Sequence, residues 1–412
     1  MHRALLVDDI IHTILQNLKS SRMDLRNVAL TCSTLSAHAL DMLWSEQSSL
    51  APLIMCLPQD TLEVASDYTI NLTREPTPME WERVRIYASR IRRLLYDIGD
   101  TPCMQTPKPC TSLVLQRLFA RFPPPLLFPN LCALDFNAVF DQPEFRSNLL
   151  LLRQFFSPGL EVLWFDVPTR GVLTHDVEQL VSALSVEASG LQHLSISSAQ
   201  GISPIAVPPS LGKLPKLIQL EMNGINVALT RQSITNIQQS RCLQILKLTL
   251  RGTSTNVENM PSDNMPLELS TLKHLSLFGD CLPQFTYFLR QVTTPQLSSI
   301  HINYWTPASQ TAIAAFMKSL CKSCQTSACL EEICVVGELR QDPEPDDFSP
   351  LPSHIFRPLL EFQKLSTLRF IGVGQYYYFD DAFIADAEAA WPAIRELQFS
   401  SHLKKIWHHL DD

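Results

Sequence analysis

The chain has 412 residues, of which 45% are hydrophobic and 18% are charged, so it has the composition of a globular protein with a large core. Its net charge is −8 and its sequence pI is about 5.8. This acidic balance argues against a nucleic-acid or membrane partner. Glycine is scarce, with 12 residues against 29 prolines, and no Gly-rich phosphate-binding motif occurs. We expect no cofactor.

Residues 1–50 predict three short helices. Asp8 and Asp9 suit the first turn of the first helix, and we expect Asp24 to cap the second. Three helices in about forty residues bury little apolar surface, so we expect a partner or the rest of the chain to stabilise them. Apolar residues recur at helical spacing at Ile10, Ile14, Leu15 and Leu18, then at Leu25, Val28, Ala29 and Leu30, then at Leu35, Ala39, Leu40 and Leu43.

These residues resemble an F-box. The pattern of that family opens Leu-Pro-x-Glu-Ile, continues with Ile-Leu-x-x-Leu and Asp-Leu, and closes on Leu-Trp. The chain departs from it at Val7, where the pattern has Pro, and at Asp9, where it has Glu. The resemblance implies that the segment binds the small adaptor subunit of a cullin–RING (SCF-type) ubiquitin ligase. The matching positions are Leu6, Val7, Ile10, Ile14, Leu15, Leu18, Leu25, Leu30 and Trp44.

Some of these apolar side chains must instead face the core of the three helices, and the sequence does not separate the two sets. The alternative interpretation is that residues 1–50 are only a helical cap, since arrays of repeats need capping units.

Residues 51–90 form a transition segment. Proline interrupts the apolar stretch Leu50–Pro58, which therefore predicts no long helix. Residues 62–72 predict one or two strands, and residues 81–90 have helical spacing.

From residue 91 onward the chain repeats the phrase L-x-x-L-x-L, with apolar residues at its first, fourth and sixth positions. Successive copies lie about 25–40 residues apart, which is the range of leucine-rich repeats. The fourth and sixth positions alternate like a strand with one buried face, and the first position turns inward just before it. The copies begin at Ile91, Leu131, Leu160, Leu191, Leu217, Leu243, Leu272, Leu297, Leu330, Leu365 and Ile394.

The phrase predicts an α/β fold in which residues 91–412 form an irregular leucine-rich-repeat solenoid with a C-terminal cap. The strands would lie parallel on the concave face, with helices or loops outside. Helices are expected near 113–122, 149–156, 282–292 and 311–321, whereas the Pro-rich segment Phe122–Phe128 predicts an extended crossing.

With the first fifty residues, these repeats are similar to fungal-type F-box proteins with degenerate leucine-rich repeats. The resemblance implies a non-catalytic receptor subunit, a monomer within a multi-subunit ligase that binds the adaptor at one end and a target protein at the other. We expect it in the cytoplasm or nucleus, because the chain opens without a secretion signal and its 11 cysteines indicate reduced thiols. A repeat scaffold with no link to ubiquitin is the alternative.

Residues that alternate with the buried strand positions predict the target-binding face. Polar groups around an exposed aromatic anchor suit a protein partner. The predicted face contains Asp135, Trp164, Glu221, Lys247, Phe278, His301 and Arg369.

Three groups of residues have side chains of the types that bind metals or act in catalysis. Cys321 and Cys324, followed by Cys329 and Cys334, could hold zinc or supply a thiol, but no second Cys or His pair accompanies them, so we expect packing residues and no metal. The acidic residues Asp342–Asp347 lie in a polar segment and predict solvated surface. His408 and His409 lie in a predicted C-terminal helical lid.

Overall fold

The computed structural model describes residues 7–31, 33–65, 69–97, 110, 112–137, 145–167, 174–198, 205–250, 265–325, 327, 329–337, 351–373 and 377–400. Leu6, Asp342–Asp347 and the predicted C-terminal cap with His408 and His409 lie outside these residues.

The described chain alternates short helices and strands. Its α-helices are α1 (Asp8–Gln16), α2 (Arg22–Thr31), α3 (Ser33–Ser45), α4 (Ala51–Ile54), α5 (Pro78–Ala88), α6 (Ser112–Arg121), α7 (Pro124–Leu127), α8 (Phe145–Gln154), α9 (Thr174–Glu187), α10 (Arg231–Gln238), α11 (Leu282–Gln291), α12 (Gln310–Cys324) and α13 (Asp381–Ala390). Each α-helix within the described ranges is too short or too polar to cross a lipid bilayer.

Its strands are β1 (Glu46–Gln47), β2 (Leu62–Val64), β3 (Ile70–Leu72), β4 (Arg93–Asp97), β5 (Ala133–Asn137), β6 (Val162–Asp166), β7 (His193–Ser197), β8 (Gln219–Asn226), β9 (Ile245–Leu250), β10 (Leu267–Glu268), β11 (His274–Gly279), β12 (Val292–Thr293), β13 (Ser299–Tyr304), β14 (Glu332–Gly337), β15 (Leu351–Pro352), β16 (Thr367–Ile371), β17 (Tyr377–Tyr378) and β18 (Glu396–Ser400). Short 3₁₀ helices occupy Gln59–Thr61, Pro209–Lys213, Ser353–Ile355 and Arg357–Glu361.

Twelve of the strands form one parallel sheet, in the order β1-β4-β5-β6-β7-β8-β9-β11-β13-β14-β16-β18. Every copy of the repeated phrase has its fourth and sixth positions on one of these strands, so the prediction of a parallel α/β sheet is confirmed. The fourth positions also pair with one another across the strands. One such series is Leu94, Leu134 and Leu163, and another is Leu194, Leu220, Leu246, Leu275, Ile300, Ile333, Leu368 and Leu397.

The three apolar positions of the phrase are buried in the first ten copies, where none exceeds 3% exposure. The last copy differs, because Leu397 on β18 is 53% exposed. Strand β18 ends the described sheet and pairs only with β16 among the described strands. Among the described residues, no strand therefore flanks the last copy on its outer edge as one flanks each earlier copy.

The chain divides into two compact units, Met1–Pro168 with Val186–Leu191, and Thr169–Ser185 with Gln192–Asp412. In the first unit, α1, α2 and α3 form a small core around Ile11, Leu15, Leu25 and Ala39. The transition segment contains the short helix α4, the antiparallel hairpin β2–β3 and helix α5. The predicted strands within residues 62–72 and the helical spacing after residue 81 are confirmed, and Leu50–Pro58 contains no long helix.

In the second unit, helices cover the apolar face of the strands. Helix α11 packs against α12, and α12 packs against the 3₁₀ helix at 357–361. Phe285, Phe288 and Phe316 on these helices are fully buried. Phe356 contacts the rings of both Phe370 and Phe399 near the end of the sheet.

Two local predictions were wrong. The segment Phe122–Phe128 contains helix α7, because Pro124 and Pro125 occupy its first turn, where proline costs no hydrogen bond. Helix α2 begins before Asp24, so Asp24 lies in the first turn and does not cap it. The hydroxyl of Ser21 instead accepts a hydrogen bond from the Asp24 amide, at 3.3 Å.

Strand β8 has an irregularity that requires glycine. The register between β8 and β9 shifts between Met222 and Asn226, and Gly224 within this bulge has a φ of 68°. A Cβ at Gly224 would lie 2.0 Å from the Ser198 carbonyl oxygen. The Gly224 amide donates to the Thr249 hydroxyl, at 2.9 Å. The bulge therefore needs both the left-handed conformation and the missing side chain.

We expect Gly224→Ala to lower the free energy of unfolding by at least about 1–3 kcal/mol, because a left-handed non-glycine residue is strained. Thermal and urea unfolding would measure the change. Gly159→Ala is the matched control, since a Cβ there would meet only atoms 3.9 Å away. Equal stability of the two variants would contradict this account of the bulge.

Candidate protein-binding surfaces

Helix α1 and its N-cap residue Val7 carry one wide apolar stripe, with one edge buried and the other edge about half exposed. Ile11 and Leu15 are each 2% exposed and belong to the core of the three helices. Val7, Ile10 and Ile14 are 47%, 40% and 46% exposed. The domain core therefore covers only one edge of the stripe and leaves the other edge about half exposed. This exposed stripe, formed by Val7, Ile10 and Ile14, is a candidate surface for a partner.

The other residues predicted to bind the adaptor are partly buried in the core and partly exposed. Leu25 is 1% exposed at the centre of the small core, and Leu18 is half-buried against that core. Leu15 and Leu25 are therefore not available to a partner, because their side chains are already enclosed. Leu30 on α2 is 74% exposed and is available.

Trp44 does not extend the exposed face of α1. Its ring stacks on Tyr87 of the transition segment, with ring centroids 4.9 Å apart. A half-buried aromatic stack at this position ties α3 to α5. Trp44 therefore helps to attach the three helices to α5. Its ring is partly covered by Tyr87, so the structure does not support the prediction that Trp44 binds an adaptor.

Backbone and ionic contacts strengthen this attachment. Strand β1 directly follows α3 and pairs with β4, and the Arg92 amide donates to the Ser45 carbonyl oxygen, at 2.9 Å. Lys19, three residues after α1, donates a hydrogen bond to the Glu46 carboxylate of β1, at 2.8 Å. This hydrogen bond lowers the pKa of Glu46 and links the segment after α1 to β1. The three helices are thus joined to the sheet edge through more than the covalent chain.

The residues between the buried strand positions form a row on the opposite face of the sheet. In the first unit, Asp135 lies beside Trp164 in the ladder, and the Arg93 guanidinium lies 5.2 Å from the centre of the Trp164 ring. This distance is within the range of a cation–π contact. In the second unit the row contains Ser195, Glu221, Lys247, Ser276, His301, Cys334, Arg369 and Gln398.

Glu221 is the most enclosed charged residue of this row, at 9% exposure. Its carboxylate pairs with Lys247 on the next strand and accepts from Gln219, at 2.7 Å, and from Ser195, at 3.4 Å. Burial alone would raise the pKa of Glu221, but the Lys247 ion pair and these hydrogen bonds outweigh it and lower the pKa below its ordinary value. Glu221 therefore stabilises the arrangement of side chains on this face, and its buried carboxylate is poorly accessible to a partner.

We expect Glu221→Gln to destabilise the protein by about 1 kcal/mol at pH 7, because Lys247 loses its partner. A lowered folded-state pKa adds stability above the ordinary value of 4.5, and that stability is lost as the pH falls through the folded pKa. The gap between wild type and Glu221→Gln should therefore shrink between pH 5 and pH 3 in urea unfolding. A gap that stays constant over this range, or an equal effect in the exposed control Glu388→Gln, would contradict the assignment.

Farther along the row the side chains are more accessible. Nε2 of His301 lies 3.4 Å from a carboxylate oxygen of Glu332, and His301 is 43% exposed at its side chain. Arg369 donates two hydrogen bonds to Glu396, at 2.7 and 2.5 Å. Phe278 is half-buried in the adjacent row. This stretch offers a partner both charge and an aromatic ring.

The sequence prediction omitted Cys334, which occupies the place between His301 and Arg369 in the row. The repeated phrase could have identified Cys334, because it directly follows the fourth position of its copy, as His301 and Arg369 do in theirs.

The cysteine cluster does not converge. Cys321 and Cys324 are buried in α12, Cys334 lies on β14, and Cys329 is exposed. Burial raises the pKa of Cys321 to about 12 and that of Cys324 to about 11, so both remain protonated at neutral pH. Among the described residues, no three His, Cys, Asp or Glu side chains are placed to hold a metal ion.

No family model matches the chain, and no curated protein matches its sequence.

Proposed function

We propose that the chain is the substrate-recognition subunit of a cullin–RING ubiquitin ligase. In this proposal residues 1–50 are an F-box that binds the adaptor. The observation that supports it best is the exposed stripe of α1, formed by Val7, Ile10 and Ile14. The core of the three helices is built from other residues, so these three side chains are free to bury against a partner.

The sheet supports the second half of the proposal. The repeated phrase pairs in register from strand to strand, which is how leucine-rich repeats stack into a solenoid. We propose that residues 91–412 are such a solenoid. The row from Ser276 to Arg369, together with Phe278, would bind the target protein.

The proposed mechanism is proximity, with no catalytic group on this chain. A receptor that holds the target beside a ubiquitin-loaded enzyme raises the effective concentration of the reacting lysine. This requires a fixed distance between the two binding surfaces. The contacts of α3 and β1 with α5 and β4 would help to fix it at the adaptor end.

A repeat scaffold without any link to ubiquitin is the second candidate. It would use the same polar face, and residues 1–50 would then only cap the solenoid. The two functions differ in one binding event, which is capture of the adaptor.

Co-expression of the full chain with the adaptor and the adaptor-binding half of the cullin tests the proposal. We expect a complex of equal stoichiometry in size-exclusion chromatography with light scattering. Elution of the chain alone, in a folded state by circular dichroism, would contradict the ligase function and favour the scaffold.

A further inference from the structure

A polar pocket lies in the first unit, where α3, the end of α5 and the segments before β4 and β5 meet. Its volume is about 420 Å³, which is within the range of small-ligand sites. None of its lining residues belongs to the exposed stripe of α1 or to the row on the sheet. Its lining residues are Asp41, Arg85, Ile86, Ser89, Arg90, Arg92 and Asn130.

The lining has an excess of positive charge, since three arginines face one carboxylate. Asp41 pairs with Arg90. Arg85 pairs with Glu82 of the same helix, with Nε 2.9 Å from each carboxylate oxygen, but Glu82 does not line the pocket. Arg92 makes no ion pair with the described residues. This excess is unusual in a chain whose net charge is −8.

One donor in this group lacks an acceptor. Nε of Arg90 is buried and has no hydrogen-bond partner among the described residues, although its Nη1 donates to the Ala37 carbonyl oxygen, at 3.2 Å. A buried donor without an acceptor costs free energy, and a bound anion would recover it only if the Arg90 side chain shifts, because Nε has almost no accessible surface.

The pocket wall is held in place by hydrogen bonds. Asn130 donates from Nδ2 to the Ser89 carbonyl oxygen, at 2.7 Å, which ties the segment before β5 to the end of α5. The Ser89 hydroxyl donates to the Ile86 carbonyl oxygen, at 2.8 Å. The arginines therefore project from a fixed frame, which reduces the ordering that a ligand must impose.

Arginines at the last turn of a helix also stabilise its dipole, which would explain Arg85 without any ligand. That explanation does not extend to Arg92, which lies beyond the helix and directly before β4. Nor does it supply an acceptor for Arg90. The cluster as a whole is better explained by an anion.

We propose that this pocket binds a phosphate monoester. Guanidinium groups form paired hydrogen bonds with phosphate oxygens, and three of them offer more donors than a single carboxylate ligand can use. With Arg90 paired to Asp41 and Arg85 to Glu82, Arg92 supplies a positive charge that no carboxylate among the described residues pairs with, which favours an anionic ligand. The group could belong to a free phosphorylated metabolite or to a phosphorylated side chain of a partner protein.

Calorimetric titration of the full chain tests the proposal, with inorganic phosphate, O-phosphoserine and a phosphoserine peptide as probes. Ionic strength is held constant with chloride, because exposed charges are screened by salt. The test variant is Arg92→Gln, and the matched control is Arg83→Gln, an exposed arginine of α5 that does not line the pocket. We expect Arg92→Gln to weaken binding of all three probes about tenfold or more and Arg83→Gln to leave it unchanged.

The probes identify the source of the group. Tighter binding of the phosphopeptide than of O-phosphoserine would point to a phosphorylated protein, whereas equal binding would point to a free metabolite. No binding of any probe by the wild-type chain, or equal weakening by Arg92→Gln and Arg83→Gln, would overturn the proposal. Thermal unfolding of both variants checks that each one remains folded.

Discussion

A chain with Ile10→Gln and Ile14→Gln should bind the adaptor about 10- to 100-fold more weakly than wild type, because each half-exposed isoleucine gains about half of the 1.5–3 kcal/mol of full burial and each 1.4 kcal/mol is tenfold. Both side chains are about half exposed in the free protein, and neither belongs to the core of the three helices, so their replacement should leave that core intact. Glutamine also favours helix, so α1 should stay formed. Calorimetric titration with purified adaptor would measure the change.

Two further variants make this test specific. Ile384→Gln alters an isoleucine that is 55% exposed on α13, and it should bind the adaptor as wild type does. Leu25→Asp buries a charge in the small core and should unfold the three helices, so its loss of binding would say nothing about the surface. Wild-type affinity in the double variant would show that α1 does not contact the adaptor.

Leu275→Ala should lower the free energy of unfolding of its cooperative unit by about 2–5 kcal/mol, which is the cost of truncating a leucine in a packed core. Leu275 is fully buried on β11 and lies between Leu246 and Ile300 in the ladder of fourth positions. The cavity would open in the middle of a row of buried residues from neighbouring strands, where collapse is difficult. Urea unfolding followed by circular dichroism would measure the loss.

Ser276→Ala is the matched control, because Ser276 is the next residue on the same strand and points to the opposite face. We expect its effect to stay within about 0.5 kcal/mol, as for other surface substitutions. Comparable effects at positions 275 and 276 would contradict the assignment of the buried face to the repeated phrase.

The sequence predicted the sheet well because the phrase encodes a strand directly. Apolar residues at the fourth and sixth positions define one buried face of each strand. Because every copy has the same pattern, neighbouring strands pair with equivalent positions side by side. The helices α11 and α12 were equally clear from their spacing. The prediction of an extended crossing at Phe122–Phe128 was wrong because proline, which disrupts the interior of a helix, is tolerated in the first turn of helix α7.

The candidate surfaces were less predictable, because they depend on which neighbour each side chain meets. Helical spacing alone does not show that Leu15 and Leu25 are enclosed while Ile10 and Ile14 are exposed. Glu221 looked like an accessible carboxylate, yet its burial depends on Lys247 and Ser195 from the two adjacent strands. These partners lie 26 residues away in the chain, at the same position of the neighbouring copies, so the phrase places them side by side but does not show how far they enclose the carboxylate.

Hydrogen–deuterium exchange of the full chain, with and without saturating adaptor, tests most directly whether residues 1–50 bind an SCF-type adaptor through α1. We expect the amides of Asp8–Gln16 to exchange more slowly in the complex, since docking the exposed stripe would suppress local opening of the helix. Amides of α13 should exchange at the same rate in both states. Unchanged exchange over α1 at saturating adaptor would contradict the proposed function.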